Sequence, residues 1–279
     1  MESTWDLMMR PISLAHLTVL DADPLTLIDA GAAGGFDAIG LRIVPPLPGD
    51  AIVPVVGDIP LQRRIKQRLT ATGLRILDIE AIWLSPQTQV DELQPAPDVG
   101  AELGARYVLT VGFDAEPARL IDNFGRLCAQ ANARGLRPML EFIPYATIAD
   151  LGSAYELLRQ AAPEDAGLLV DALHLSRSGG SPADIARYDP DLFSYIHLCD
   201  APAAVPPAAS LRAEARGERL YPGLGELWLD AFLDAFTTDT PVGIEAPCAA
   251  FAALPPAERA RHAGEATRRL LERNAAQQR

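Results

Sequence analysis

The sequence predicts a single (β/α)8 TIM barrel spanning residues 1–279. Short apolar strands alternate with longer helical stretches throughout, in eight units about 35 residues apart, as a parallel sheet closed on itself requires. The first strand–helix turn, Leu20-Asp-Ala-Asp-Pro24, lacks the Gly-x-Gly-x-x-Gly of a doubly wound nucleotide-binding sheet. Ionisable residues also stand at the ends of otherwise apolar strands, where a barrel opens its mouth.

Taken in order, residues 13–20 read as the first strand, carrying His16, and residues 24–33 as its helix, with Asp23 as cap and Pro24 in the first turn. Gly31-Ala-Ala-Gly-Gly35 follows that helix rather than preceding one, so it serves as cap and turn. Residues 36–43 form the second strand, with Arg42 near its end. A proline- and glycine-rich insertion, 44–59, leads to a helix at 60–72. The third strand, 74–83, carries Asp78-Ile-Glu80; a helix around 99–103 and a fourth strand, 107–113, follow. A helix at 116–134 precedes strand five, 137–143, with Glu141, and a helix at 149–161 leads to Leu168-Leu-Val-Asp171-Ala-Leu-His174. There the apolar run of a strand buried on both faces ends at Asp171, and His174 follows as the strand gives way to loop. Residues 193–200 are strand seven, with His197. An Ala/Pro/Arg-rich insertion, 201–225, precedes a helix at 226–236; strand eight, 241–245, ends on Glu245 and residues 256–274 form the closing helix. The 275–279 tail is expected to fray.

Hydrophobic residues make up 49% and charged residues 22%, as in a globular chain with a substantial core. Acidic residues outnumber basic ones, 37 to 24, and the net charge of −13 repels phosphate backbones, which argues against a nucleic-acid partner and favours divalent cations where carboxylates converge. Cys128, Cys199 and Cys248 lie far apart without CxxC spacing, so neither a disulfide framework nor a thiolate zinc site is expected, and a reducing cytoplasm is the default. Residues 1–6 lack the basic-then-apolar order of a signal peptide, and no apolar run reaches the ~18 residues of a membrane span. A cytoplasmic protein without a membrane partner is expected, with a homodimer or homotetramer in keeping with this reading. The only lysine, Lys66, falls in a helix, which excludes a Schiff base at a strand end.

In a barrel the C-terminal strand ends share one mouth, so Glu141, Asp171, His197 and Glu245 converge there. One carboxylate buried in a strand is costly; four such groups can share a cation that offsets the cost. Three carboxylates and an imidazole suit one divalent ion, Mn²⁺, Mg²⁺, Co²⁺ or Zn²⁺, with positions left for substrate oxygens. The competing reading is a salt-bridged plug with Arg42 or Arg177. Glu80, Arg42 and His16 are further pocket candidates, set against mutual pairing and simple packing. Arg216 and Arg219, in the second insertion, could bind a substrate anion or merely be solvated. Ser176-Arg-Ser-Gly-Gly-Ser-Pro-Ala183 offers glycines and hydroxyls to an anion, though an ordinary helix cap explains it as well.

Leu140-Glu141-Phe, Val170-Asp171-Ala-Leu-His174, Ile196-His197-Leu-Cys-Asp200, Pro222-Gly-Leu-Gly225-Glu and Gly243-Ile-Glu245, in this order and spacing, resemble the xylose-isomerase-like barrels. That family includes sugar phosphate isomerases and epimerases, ketose epimerases, inosose dehydratase and endonuclease IV. The resemblance implies Glu141, Asp171, His197 and Glu245 as metal ligands and His174 as a substrate-binding residue. The Pro222–Glu226 segment departs from it, since the family more often places an acidic residue between the glycines.

The expected activity is isomerisation or epimerisation of a sugar or polyol-like ketone, by proton transfer through an enediolate that the ion would stabilise. Glu141 and Glu245 are the expected proton-transfer groups, with Glu80 the competing base. A lyase that expels a β-hydroxyl from a keto-sugar or inosose is the main alternative, and a non-catalytic sugar-binding barrel the third. The DNA-repair branch is set aside, because it binds three zinc ions with many histidines and this chain has four in all.

Overall fold

The computed structural model describes residues 10–46 and 49–277. Residues 1–6, read above for a signal peptide, and the last two residues of the tail lie outside this range. Eight parallel strands close into a barrel in sequence order: β1 (Ile12–Leu14), β2 (Ala38–Arg42), β3 (Arg75–Leu84), β4 (Tyr107–Gly112), β5 (Arg137–Glu141), β6 (Gly167–Asp171), β7 (Ile196–Leu198) and β8 (Val242–Ile244). The helices are α1 (Pro24–Ala33), α2 (Ile59–Thr72), α3 (Val90–Leu93), α4 (Pro95–Glu102), α5 (Pro117–Asn132), α6 (Leu151–Ala161), α7 (Ala172–Arg177), α8 (Pro182–Ile185), α9 (Leu211–Gly217), α10 (Leu229–Asp234) and α11 (Pro256–Gln277). The eight-stranded (β/α)8 expectation is met. No helix among the described residues is long and apolar enough to cross a membrane.

The core has two shells. Ala38, Leu77, Tyr107, Leu109, Met139, Leu169 and Tyr195 form one buried cluster, almost wholly of strand residues, inside the barrel. The larger cluster lies between sheet and helices. In α5, for example, Leu120, Phe124, Leu127, Cys128 and Ala131 fall on one face and are buried, as helical periodicity requires. Full burial of a side chain such as Phe124 contributes about 1.5–3 kcal/mol.

Several boundaries differ from the sequence reading, each for a local reason. β1 stops at Leu14, and His16 opens a 3-10 turn, His16–Val19. Thr18 Oγ1 fastens that turn by donating to Ile244 O at 2.7 Å and accepting from Ala246 N at 2.9 Å. An unforeseen helix, α7, begins directly after β6 because Asp171 caps it. The 226–236 helix shrinks to α10, since the Asp200 carboxylate takes the amides of Gly223 and Leu227, both at 3.0 Å, and holds that stretch as a turn. The tail does not fray at 275–277, which continue α11. Ser181 and Asp184 cap α8 reciprocally, so the glycine–serine segment there is an ordinary helix start.

Candidate metal centre

The register of the last three strands builds the site. Asp171 pairs with His197 and His197 with Gly243, two residues before Glu245, while Glu141 closes β5 on the other side of β6. Glu141, Asp171, His197 and Glu245 are all buried, and one donor atom from each lies within 4.8 Å of the others. Two donors on one ion, each about 2.0–2.2 Å from it, stand at most ~4.4 Å apart, so small side-chain movements suffice for these four to converge on an ion. Glu141 Oε1 and His197 Nδ1 are buried without a hydrogen-bond partner. An unpartnered carboxylate oxygen and imidazole nitrogen, 3.8 Å apart, fit the donor set of a divalent cation. Two glycines make room for the polar side chains. A Cβ on Gly243 would lie 2.6 Å from His197 Cδ2, and one on Gly40 would collide with the Glu80 carboxylate.

Burial, with Glu245 and Asp171 nearby, pushes the Glu141 carboxyl well above the usual carboxylate range. Burial acts in the same sense on Asp171, but Arg219 foremost, then His174, outweighs it and holds that carboxyl below its ordinary value. Asp171 Oδ1 accepts from Leu173 N at 2.7 Å and His174 N at 3.1 Å, while Oδ2 accepts from Arg219 at 2.7 Å. Arg219 also meets Glu245 Oε2 at 2.9 Å. The 201–225 insertion therefore carries a guanidinium into the ligand cluster; Arg177, the partner weighed for a plug, pairs instead with Glu214.

The remaining sequence candidates divide. His174 is buried, with burial pushing it down to about 4, and its ring meets Tyr145 edge-on. His16 is pinned within the protein: Nδ1 accepts from Arg42 N at 3.1 Å and Nε2 donates to Ala22 O at 2.9 Å, which defines a neutral tautomer. Arg42 is buried with Nε unpartnered, opposite Glu80 in the β2–β3 register. Glu80 Oε1 accepts from His16 N at 2.6 Å, and its buried Oε2 has no partner. Arg216 remains exposed on α9. Part of the 44–58 loop approaches this side of the mouth: Ala51, Ile52 and Val53 line a groove of about 360 Å³ with His16, Asp23 and Arg42.

The profile of the xylose isomerase-like TIM barrel family matches residues 28–270. The chain belongs to that family. Among relatives of this barrel, the 3-dehydroshikimate dehydratase of Pseudomonas aeruginosa is 32% identical over 142 residues, 49% of this chain and 22% of that protein. The inosose isomerase of Halalkalibacterium halodurans is 26% identical over 154 residues, 52% of this chain and 53% of that one. The matched stretch thus spans only about half of the isomerase and less of the dehydratase. A crystal structure of the IolI protein with a bound zinc atom superposes with a TM-score of 0.78 at 20% identity, covering 96% of this barrel and 99% of that chain. A D-allulose 3-epimerase from Methylomonas in complex with D-allulose gives 0.67 at 18% identity, covering 94% and 97%. At these identities the superpositions establish the shared barrel.

Sequence reasoning passed over three side chains of this xylose isomerase-like barrel. Tyr145, four residues past Glu141, stands among the site charges; burial first, then Glu141 and Glu245, push its phenol up to about 12 against the pull of Arg219 and Arg216. A tyrosine in an irregular loop leaves no periodic signal. Asp78 and Tyr195 form a buried pair in the barrel, the hydroxyl donating to Asp78 Oδ2 at 2.9 Å. Asp78 carries the signal of an acid two residues before Glu80 on one strand; Tyr195 is indistinguishable from core.

Proposed function

We propose that this chain is a divalent-metal-dependent isomerase or epimerase of a sugar or polyol-like ketone, moving a proton on the carbon beside the carbonyl. The convergence of Glu141, Asp171, His197 and Glu245 within 4.8 Å carries this reading. A divalent ion held by those four residues would supply Lewis-acid polarisation of two neighbouring substrate oxygens. The zinc bound in the IolI structure supports Zn²⁺ beside Mn²⁺, Mg²⁺ and Co²⁺. Glu141 and Glu245 reach the mouth from β5 and from the end of β8, so they flank the substrate from two sides and hold or accept the proton at their carboxylate oxygens. Glu80 Oε2, buried and unpartnered, is the competing base. His174 and Tyr145, which meet edge-on beside the cluster, would orient substrate hydroxyls.

The inosose isomerase relatives favour a cyclic polyol ketone. A second reading, elimination of a β-hydroxyl, is favoured by the relative at 32% identity, a dehydratase. Incubating the metal-loaded protein in D₂O with a panel of ketoses, inososes and 3-keto sugars separates the two. Deuterium uptake without loss of water is expected, and water loss assigns the lyase. Neither product, from protein that has bound metal, overturns the ketone reading.

A further inference from the structure

Arg42 ends β2, which lies across the eight-stranded ring from β6 and the Asp171 it carries. A substrate held on the β5–β8 side of the mouth would extend toward it. Arg42 is 7% exposed, and its Nε is buried without a hydrogen-bond partner. Among the described residues the guanidinium forms no ion pair, although Glu80 is its neighbour in the β2–β3 register. Glu80 Oε1 is taken by His16 N at 2.6 Å, whereas the buried Oε2 has no partner. An orphan donor and an orphan acceptor thus stand on adjacent strands, and each is costly until a polar group fills it.

A hydroxyl satisfies both, accepting from the guanidinium and donating to the carboxylate. A carboxylate or phosphate satisfies only the first, and it would bring negative charge to a place already lined by acids. Asp21 and Asp23 line the groove that Arg42 and His16 share, and Arg259, the cation facing Asp21, is committed to it. His16 adds no charge, since its Nδ1 accepts from Arg42 N and burial pushes it down to about 4. We propose that Arg42 and Glu80 form a hydroxyl-reading subsite across the mouth from Asp171 and His197, which selects an uncharged polyol ketone over a carboxylated or phosphorylated one. The subsite rests on the ketone reading above and decides which ketone is taken.

Calorimetric binding to the metal-loaded full chain tests this with an inosose, the set of its deoxy analogues that each lack one hydroxyl, quinate as a ring carboxylate, and inositol 1-phosphate. The inosose is expected to bind more tightly than either anion. One deoxy analogue is expected to lose about 10–100-fold in affinity, the usual worth of a hydrogen bond to a charged group. Arg42→Met is expected to weaken the inosose by about that factor and to bind it no better than that analogue, because one bond cannot be lost twice. Were Arg42 merely structural, the variant would lower both affinities and preserve their ratio, which overturns the proposal. Tighter binding of quinate or of the phosphate than of the inosose also overturns it and makes Arg42 an anion clamp, and binding of none of the probes overturns it as well. Should Arg42→Met not fold, the wild-type ranking decides: the neutral ring above both anions supports the proposal, and the reverse overturns it. Failure of the ketone reading shows separately, as metal-loaded protein that neither takes up deuterium into any ketone of the panel nor removes water from it. With turnover intact, an unchanged ratio in Arg42→Met sinks this inference alone.

Discussion

Asp171 divides its oxygens between two tasks that exist before any ligand arrives: Oδ1 caps α7 and Oδ2 balances Arg219. Glu141 does neither, and its Oε1 is an orphan. The same acid-to-amide change therefore has opposite consequences at the two positions. Asp171→Asn leaves a buried guanidinium short of a partner and is expected to cost about 3–5 kcal/mol in urea unfolding of the metal-stripped protein. Glu141→Gln is expected to unfold close to wild type, yet to lose ~10²–10⁴ in the rate of solvent-deuterium exchange at saturating Mn²⁺, as loss of a general base does. Normal exchange in both Glu141→Gln and Glu245→Gln would reduce the two glutamates to ligands and move the base to Glu80. Asp78 offers a pH test. Burial first, then Glu80, raises its pKa well above 3.8, so its folded-state contribution is complete below the unfolded pKa and declines as pH rises through the folded one. Asp78→Asn escapes that decline. Its stability relative to wild type is expected to improve as pH rises above the ordinary carboxylate range in urea unfolding; a flat difference would mean that Asp78 ionises normally.

At the scale of elements, strand register decides whether the donors can meet. The β7–β8 pairing sets Gly243 beside His197, and the absent side chain is the space the imidazole occupies. Gly243→Ala is expected to displace the ring and weaken Zn²⁺ binding about 10–100-fold, comparable to loss of a ligand-orienting group, with little change in far-UV circular dichroism; unchanged affinity would place His197 outside the ligand set. The four proposed ligands were legible in the sequence because an ionisable residue closing an apolar strand has few inexpensive explanations, and because a barrel sends every strand end to one mouth. Arg219 was legible only as a possible substrate-anion residue; its place beside Asp171 and Glu245 was not, since it depends on how the 201–225 segment folds back. The Asp200 carboxylate bonding the amides of Gly223 and Leu227, and the Glu218–Cys248 bridge, fix that return through contacts without sequence periodicity. The same ties make this insertion a wall of the site rather than a free loop. Residues 49–58 are held differently, through buried Val55, whose carbonyl accepts from Gln62 Nε2 at 2.8 Å, while Val53 stands exposed.

Over the whole molecule, the barrel concentrates acid at its mouth beyond what it balances. Asp78, Glu80, Glu141, Asp171 and Glu245 are buried there or just beneath, with Arg42 and Arg219 as the buried guanidiniums facing them. Two cations against five acids leave a deficit that protons fill in the metal-free chain, at the expense of stability as pH rises. A divalent ion would offset two of those three charges and bind more tightly as pH rises and its carboxylates deprotonate, and because the proposed donors come from β5, β6, β7 and the end of β8, binding would also clasp half of the barrel. An ion that binds the folded chain alone stabilises it by about 2.7 kcal/mol at a hundredfold excess over Kd. Near 2–4 °C per kcal/mol for a chain of this class, Tm is expected to rise about 5–10 °C when Zn²⁺ or Mn²⁺ is added to stripped protein, and to return on chelation. The doubly substituted Glu141→Ala, His197→Ala chain is expected to melt at one temperature with and without the ion. An equal rise in that variant would locate the bound ion elsewhere, and no rise in wild type would leave the acidic mouth to its protons, with Arg219 bridging Asp171 of β6 and Glu245 at the end of β8.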